Sequence, residues 1–171
     1  MKNCIVSIDT TGEISGVHEV IRLSILQTDL GNASFTSLIR PNHMENIDPK
    51  ELESGRFSRK DLLERPTPMQ CKQAFFNWHN EVFFGEKICL IGEETTSLVP
   101  FLRVFFGDLL FNKAFSSESY DVPMLLNYLA VCGYIYRGYM PTRDGSIDSC
   151  NNLLNVWNDL TKGVVCSSRT V

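Results

Sequence analysis

Apolar positions recur along this chain with two periods, and the change from one to the other orders the elements. The run Asn3-Cys4-Ile5-Val6-Ser7-Ile8 is apolar almost throughout and stops at Asp9-Thr10-Thr11-Gly12. A short apolar run bounded by turn residues is how a strand buried on both faces reads. It predicts a central strand whose C-terminal end delivers one carboxylate, Asp9. Glu13-Ile14-Ser15-Gly16 predicts a turn. Over residues 19–26, Ile21, Leu23 and Ile25 alternate onto one face of a second strand. Residues 29–32 supply turn chemistry, and residues 33–40, with Phe35 inside and Pro41 closing the run, predict a third strand.

The period then becomes helical. Asp48-Pro49-Lys50-Glu51 carries start signals for a short helix, and Ser58 caps a second through Leu62 and Leu63. Thr67-Pro68-Met69-Gln70 is a capping box with proline at the first helical position. Behind it Cys71, Phe75, Trp78 and Val82 share one face, which predicts a helix over 68–84. Residues 87–92 predict a buried strand. Residues 97–106 predict a helix, with Pro100 better suited to a first turn than an interior. Residues 109–115 predict a strand and 121–132 a helix with Pro123 in its first turn. Residues 134–143 read as a loop with three tyrosines, 146–148 as extended, and 151–160 as a last helix ended by Gly163. Strands, then helices, then alternation predict an α/β domain with a mixed sheet flanked by helices over residues 1–165. Residues 166–171 read as a loose tail.

Composition narrows the classes. The chain has 171 residues, enough for one domain with a real core. No run approaches the roughly 18 apolar residues that span a membrane, so no membrane partner is expected. An acidic residue at position 9 argues against a secretory signal. Six cysteines, Cys4, Cys71, Cys89, Cys132, Cys150 and Cys166, form no C-x-x-C pair, and His18, His43 and His79 lack zinc-finger spacing. Reduced thiols in an intracellular compartment are expected. The formal charge of −4 means that nucleic acid would need a local basic patch.

Ser7-Ile8-Asp9-Thr10-Thr11-Gly12 resembles the first motif of the DEDD 3′–5′ exonucleases, Asp-x-Glu-Thr-Thr-Gly, with Ser7 standing at the first aspartate. The resemblance runs from about Asn3 to Leu160. Ser119-Tyr120-Asp121-Val122-Pro123 is similar to the second motif, with Asp121 as its acid. An alternative placement at Gly92-Glu93-Glu94-Thr95-Thr96 puts Leu98 at the aspartate. For the third motif, Arg143 to Asp148 has the His-to-Asp spacing with Arg143 at the general base. Ile147-Asp148-Ser149 also resembles an earlier strand of the family, in which case the third motif is missing. Tyr139 to Asp144 is one residue longer than the tyrosine version, and no histidine follows His79.

The resemblance implies a ribonuclease-H-like fold of the DEDD exonuclease type. Two-metal phosphodiester hydrolysis needs carboxylates from separate elements to converge on ions about 3.5–4 Å apart. The catalytic and metal candidates are Asp9, Asp121 and Asp148. Plain structural duties stand beside each: a turn acid at Asp9 and helix caps at Asp121 and Asp148. Thr10, Thr11, Tyr136, Arg137, Tyr139 and Arg143 are the candidate nucleic-acid contacts, through stacking and phosphate binding. Ser7 and Arg143 at acid and base positions imply a weakened or inactive exonuclease that binds nucleic acid or a protein. The alternative is an active Mg²⁺- or Mn²⁺-dependent 3′–5′ exonuclease on single-stranded RNA or DNA, with Glu93 or Glu94 contributing.

Overall fold

A computed structural model describes residues 1–29, 33–53, 57–136, 138–139, 141, 145–162 and 167–168. The apolar run at the N-terminus becomes β1 (Lys2–Thr10), paired on both sides. Antiparallel to it lies β2 (Val20–Gln27), followed by β3 (Ser34–Leu38). On its other side β4 (Ile88–Gly92) runs parallel to β1, and β5 (Phe115–Asp121) parallel to β4. The sheet order is β3-β2-β1-β4-β5. The chain therefore leaves β1 to one side and returns to the other, so the crevice between β1 and β4 is a topological switch point.

The helices follow their start signals. After a 3-10 turn at Met44–Asn46 come α1 (Pro49–Glu53) and α2 (Arg59–Leu63), the latter capped by Ser58. In α3 (Pro68–Phe83) both bonds of the Thr67/Gln70 capping box form. Then α4 (Thr95–Phe106) and α5 (Asp108–Ala114) precede β5, and α6 (Val122–Val131) and α7 (Ile147–Thr161) follow it. Two residues of β6 (Tyr134–Ile135) pair with β7 (Ser167–Ser168).

Three expectations are corrected. The stretch 109–115 is helical up to Ala114. Asp108 in the first turn and Lys113 in the last complement the helix dipole, and Phe111 and Ala114, three apart, are the buried face. The strand begins only at Phe115 and is mostly exposed, because it forms the sheet edge, so its Ser-Ser-Glu-Ser run carries no apolar alternation. Residues 147–148 are the start of α7, since Ser146 accepts from the Ser149 N–H and caps the helix there. Pro100 falls in the second turn of α4, on its exposed side.

Period-two alternation of β1 divides the core. Cys4, Val6 and Ile8 face the cluster made with α3, α4 and α5, which holds Phe75, Phe101, Phe106, Phe111 and Phe115. Ile5 faces the α7 side, with Leu26, Ile91, Val122, Cys150, Leu153 and Val156. Ser7 and Asp9 continue the Ile5 row, opposite Ser24 and Arg22 of β2. The described cysteines are free thiols.

Candidate functional site

Pairing between β1 and β4 ends at Ile5 and Ile91, so the last residues of β1 have no strand on that side. Gly92 ends β4 so close to β1 that a Cβ there would lie 3.1 Å from the Val6 carbonyl oxygen. Beyond it the chain turns into α4, and a crevice of about 640 Å³ opens along the uncovered strand edge. Ser7, Thr10, Glu13, Glu93, Glu94 and Ser97 give it hydroxyl and carboxylate walls, while Leu98 and Phe101 give it an apolar one. A second depression, beside α3 and Arg65, shares no residue with it.

The threonines of the first motif build the turn that leaves the strand. Thr10 Oγ1 donates to the Gly12 carbonyl at 2.6 Å. Thr11 is fully buried; its Oγ1 accepts from the Glu19 N–H at 2.8 Å and its carbonyl from the Asp48 N–H at 2.7 Å. Only Thr10 of the two lines the crevice.

Asp9 is buried. Its Oδ1 accepts from the Gly145 N–H at 2.8 Å, and its Oδ2 lies 3.3 Å from the Arg22 Nε. Asp121 ends β5 and is adjacent in register to Gly92. Its Oδ1 accepts from the Met124 N–H at 3.0 Å, capping α6, and its Oδ2 from the Thr95 N–H at 2.8 Å, in the first turn of α4. One carboxylate thus satisfies two helix N-termini. Asp148 lies exposed in the first turn of α7. Among the described residues no three His, Cys, Asp or Glu side chains gather around a point that could hold a metal ion. Leu98, at the aspartate of the alternative second motif, is buried in the core beside Phe101. These residues do not fit a pair of divalent ions.

Tyr136 and Tyr139 are half-buried against the α7 cluster. The Tyr136 hydroxyl donates to Asp159 at 2.6 Å. Burial, a hydrogen bond to Glu93 and the charges of Glu93, Asp121 and Glu94 push the Tyr139 hydroxyl well above the ordinary phenol range. Tyr139 therefore stays a proton donor to the acidic wall. Arg137, Arg143 and Asp144 lie outside the described residues. Sequence reading missed Arg22 and Gly145. The alternation of β2 places Arg22 on the face opposite Ile21 and Leu23, which is the available signal for Arg22.

No family model matches the chain, and no curated protein matches it in sequence. Its fold matches solved nucleases. The nuclease domain of 3′hExo, a DEDDh family member bound to rAMP, superposes with a TM-score of 0.67 at 14% identity, covering 98% of this chain and 94% of that one. Cell-death related nuclease 4 gives 0.63 at 12% identity, over 96% of this chain and 64% of that one. Exonuclease I of E. coli in complex with a 5cy-dA13 oligonucleotide gives 0.64 at 10% identity, over 93% of this chain and 40% of that one. The chain thus spans about two-fifths of exonuclease I. The fold is the ribonuclease-H-like, DEDD exonuclease type expected from the first motif.

Proposed function

We propose that this chain is an exonuclease-fold domain in which two-metal hydrolysis has been lost or weakened, and that it binds the end of a single nucleic-acid strand in the crevice beside β1. The dispersal of Asp9, Asp121 and Asp148 carries this reading. Asp9 is ion-paired and accepts from Gly145, Asp121 holds two helix N-termini, and Asp148 is exposed. Ser7 supplies a neutral hydroxyl where hydrolysis needs an anion.

The crevice retains features suited to a terminal nucleoside. The rims of Leu98 and Phe101, otherwise buried in the core, give a base a small apolar contact. Glu13, Glu93 and Glu94 accept hydrogen bonds from sugar hydroxyls and base amino groups. No lysine or arginine is among its described lining residues. Its carboxylates repel phosphate, so binding must come from the terminal nucleoside, and affinity should stay level or rise as salt screens the repulsion. The free thiols fit a reducing, intracellular setting.

A second reading, a protein-binding module, is favoured by one observation. Met124, Tyr128 and Val131 stand at i, i+4 and i+7 on α6, and each is more than half exposed.

The test is fluorescence anisotropy of labelled single-stranded RNA and DNA in EDTA, run beside a gel assay for shortening in Mg²⁺ or Mn²⁺. The expected result is saturable binding, weakened at least tenfold by Ser97→Trp in the crevice, with no shortening. Stepwise shortening that Asp121→Asn abolishes would overturn it, as would no binding to either polymer, which would leave the protein-binding reading.

A further inference from the structure

We propose that the Arg22 guanidinium is a built-in counter-cation for Asp9, filling the electrostatic role that divalent ions fill for first-motif carboxylates in this fold. The inference rests on the reading that Asp9 holds no metal, and it names what balances the charge instead.

Strand register creates the pair. Asp9 and Arg22 face each other across β1 and β2, which puts both side chains on one face of the sheet. The Nε–Oδ2 separation is 3.3 Å, and the side chains are only 18% (Arg22) and 5% (Asp9) exposed. The guanidinium is held on a second side as well, because its Cζ lies 4.8 Å from the Phe57 ring centroid. Phe57 is itself buried with Ile21, Ile47 and Leu62.

The other carboxylate oxygen is covered by main chain. Gly145 donates its N–H to Oδ1 at 2.8 Å. A Cβ on Gly145 would collide with the Asp9 nitrogen and the Ile8 carbonyl carbon, so Gly145 lies directly on the strand. A hydrated divalent ion needs six or more oxygens around it and keeps several waters. A guanidinium is flat, permanently charged and weakly hydrated. It can sit between a carboxylate and a ring where a hydrated ion cannot. Ser7, two residues earlier on the same face, faces Ser24, so the adjoining register pair is two neutral hydroxyls.

Arg22 acts through Asp9 and is a positioning residue. The test is thermal unfolding of the full chain in EDTA and in millimolar Mn²⁺, for wild type, Arg22→Gln, Arg22→Lys, Asp9→Asn and the Asp9→Asn/Arg22→Gln double variant. The wild-type Tm should be the same in both conditions. Arg22→Gln should fall further than the double variant, since it removes the guanidinium and keeps the buried carboxylate. Mn²⁺ should recover none of that fall in either variant, since a hydrated ion cannot take the place of the guanidinium, and Arg22→Lys should lie between Arg22→Gln and wild type. If Arg22→Gln does not fold, the double variant should still fold. A wild-type Tm that rises saturably with Mn²⁺ and loses the rise in Asp9→Asn would overturn the inference. Equal falls, or equal failure to fold, in Arg22→Gln and the double variant would also overturn it. Those equal falls, in a protein that still binds strands without shortening them, would sink this inference alone. Strand shortening with the Tm pattern intact would sink only the proposed function.

Discussion

Replacing Asp121 with alanine separates a structural carboxylate from a metal-binding one by the sign of the stability change. The side chain accepts from Met124 at 3.0 Å and from Thr95 at 2.8 Å, one N–H from each of two helices. Losing a capping acceptor costs about 1 kcal/mol per helix end. Two ends lost together, with the favourable placement of a negative charge at both dipoles, give about 2–3 kcal/mol. For a domain of this size that corresponds to a fall in Tm of about 5–10 °C. Asp121→Asn keeps one acceptor oxygen and can serve only one helix, so it should cost about half as much. Urea unfolding followed by circular dichroism measures both, and the m-value should not change, since the exposed surface on unfolding is the same. A carboxylate whose duty was to bind an ion would behave oppositely. Its removal from metal-free protein would relieve like-charge repulsion within the ligand set and leave stability level or higher. An Asp121→Ala variant as stable as wild type in EDTA would refute the capping role.

Two further outcomes are expected. Gly145→Ala drives a methyl group into the β1 backbone at Ile8 and Asp9, and neither segment can yield without breaking the sheet or lifting the start of α7. It should cost about 3 kcal/mol or more, and an unchanged urea midpoint would contradict the close approach. His79 is buried among Phe75, Phe76 and Phe83 with its Nε2 2.9 Å from the Glu86 carbonyl oxygen. Burial pulls its pKa below the ordinary imidazole value. The unfolded chain then binds the proton more readily, so this contribution is present above about pH 6.5 and is lost as pH falls through the folded pKa. His79→Leu should flatten the decline in urea midpoint between neutral and mildly acid pH, and an unchanged slope would count against it.

Much of the sheet was legible because each of its first strands carries its own pattern. β1, β2 and β4 are apolar runs of the right length, and Thr67 and Ser58 announce their helices through local hydrogen bonds. β5 was not legible, since an edge strand has no need of alternating apolar residues. The α5 helix was hidden by Leu109-Leu110-Phe111, whose contiguity imitates a strand, although Leu109 is exposed. At the site, the motif located Asp9 but could not show its partners. Arg22 is found only through register with a second strand. Gly145 is found only once the chain has come back over the sheet. The two half-buried tyrosines read as exposed stacking residues because their partners, Asp159 and Glu93, lie 23 and 46 positions away.

The bond from Gly145 to Asp9 joins residues 136 positions apart, and this gives the chain a timetable. β1 can pair early with β2, its near neighbour in sequence, but its carboxylate waits for a partner made much later. A loop of that length costs about 4 kcal/mol of closure entropy before any contact repays it, so this bond belongs among the last to form. On a ribosome, a nascent chain that already has its meander still presents Asp9 to water. Only after residue 145 has emerged does the strand end become sealed. Exchange protection of the Gly145 amide would then mark the moment at which folding is complete.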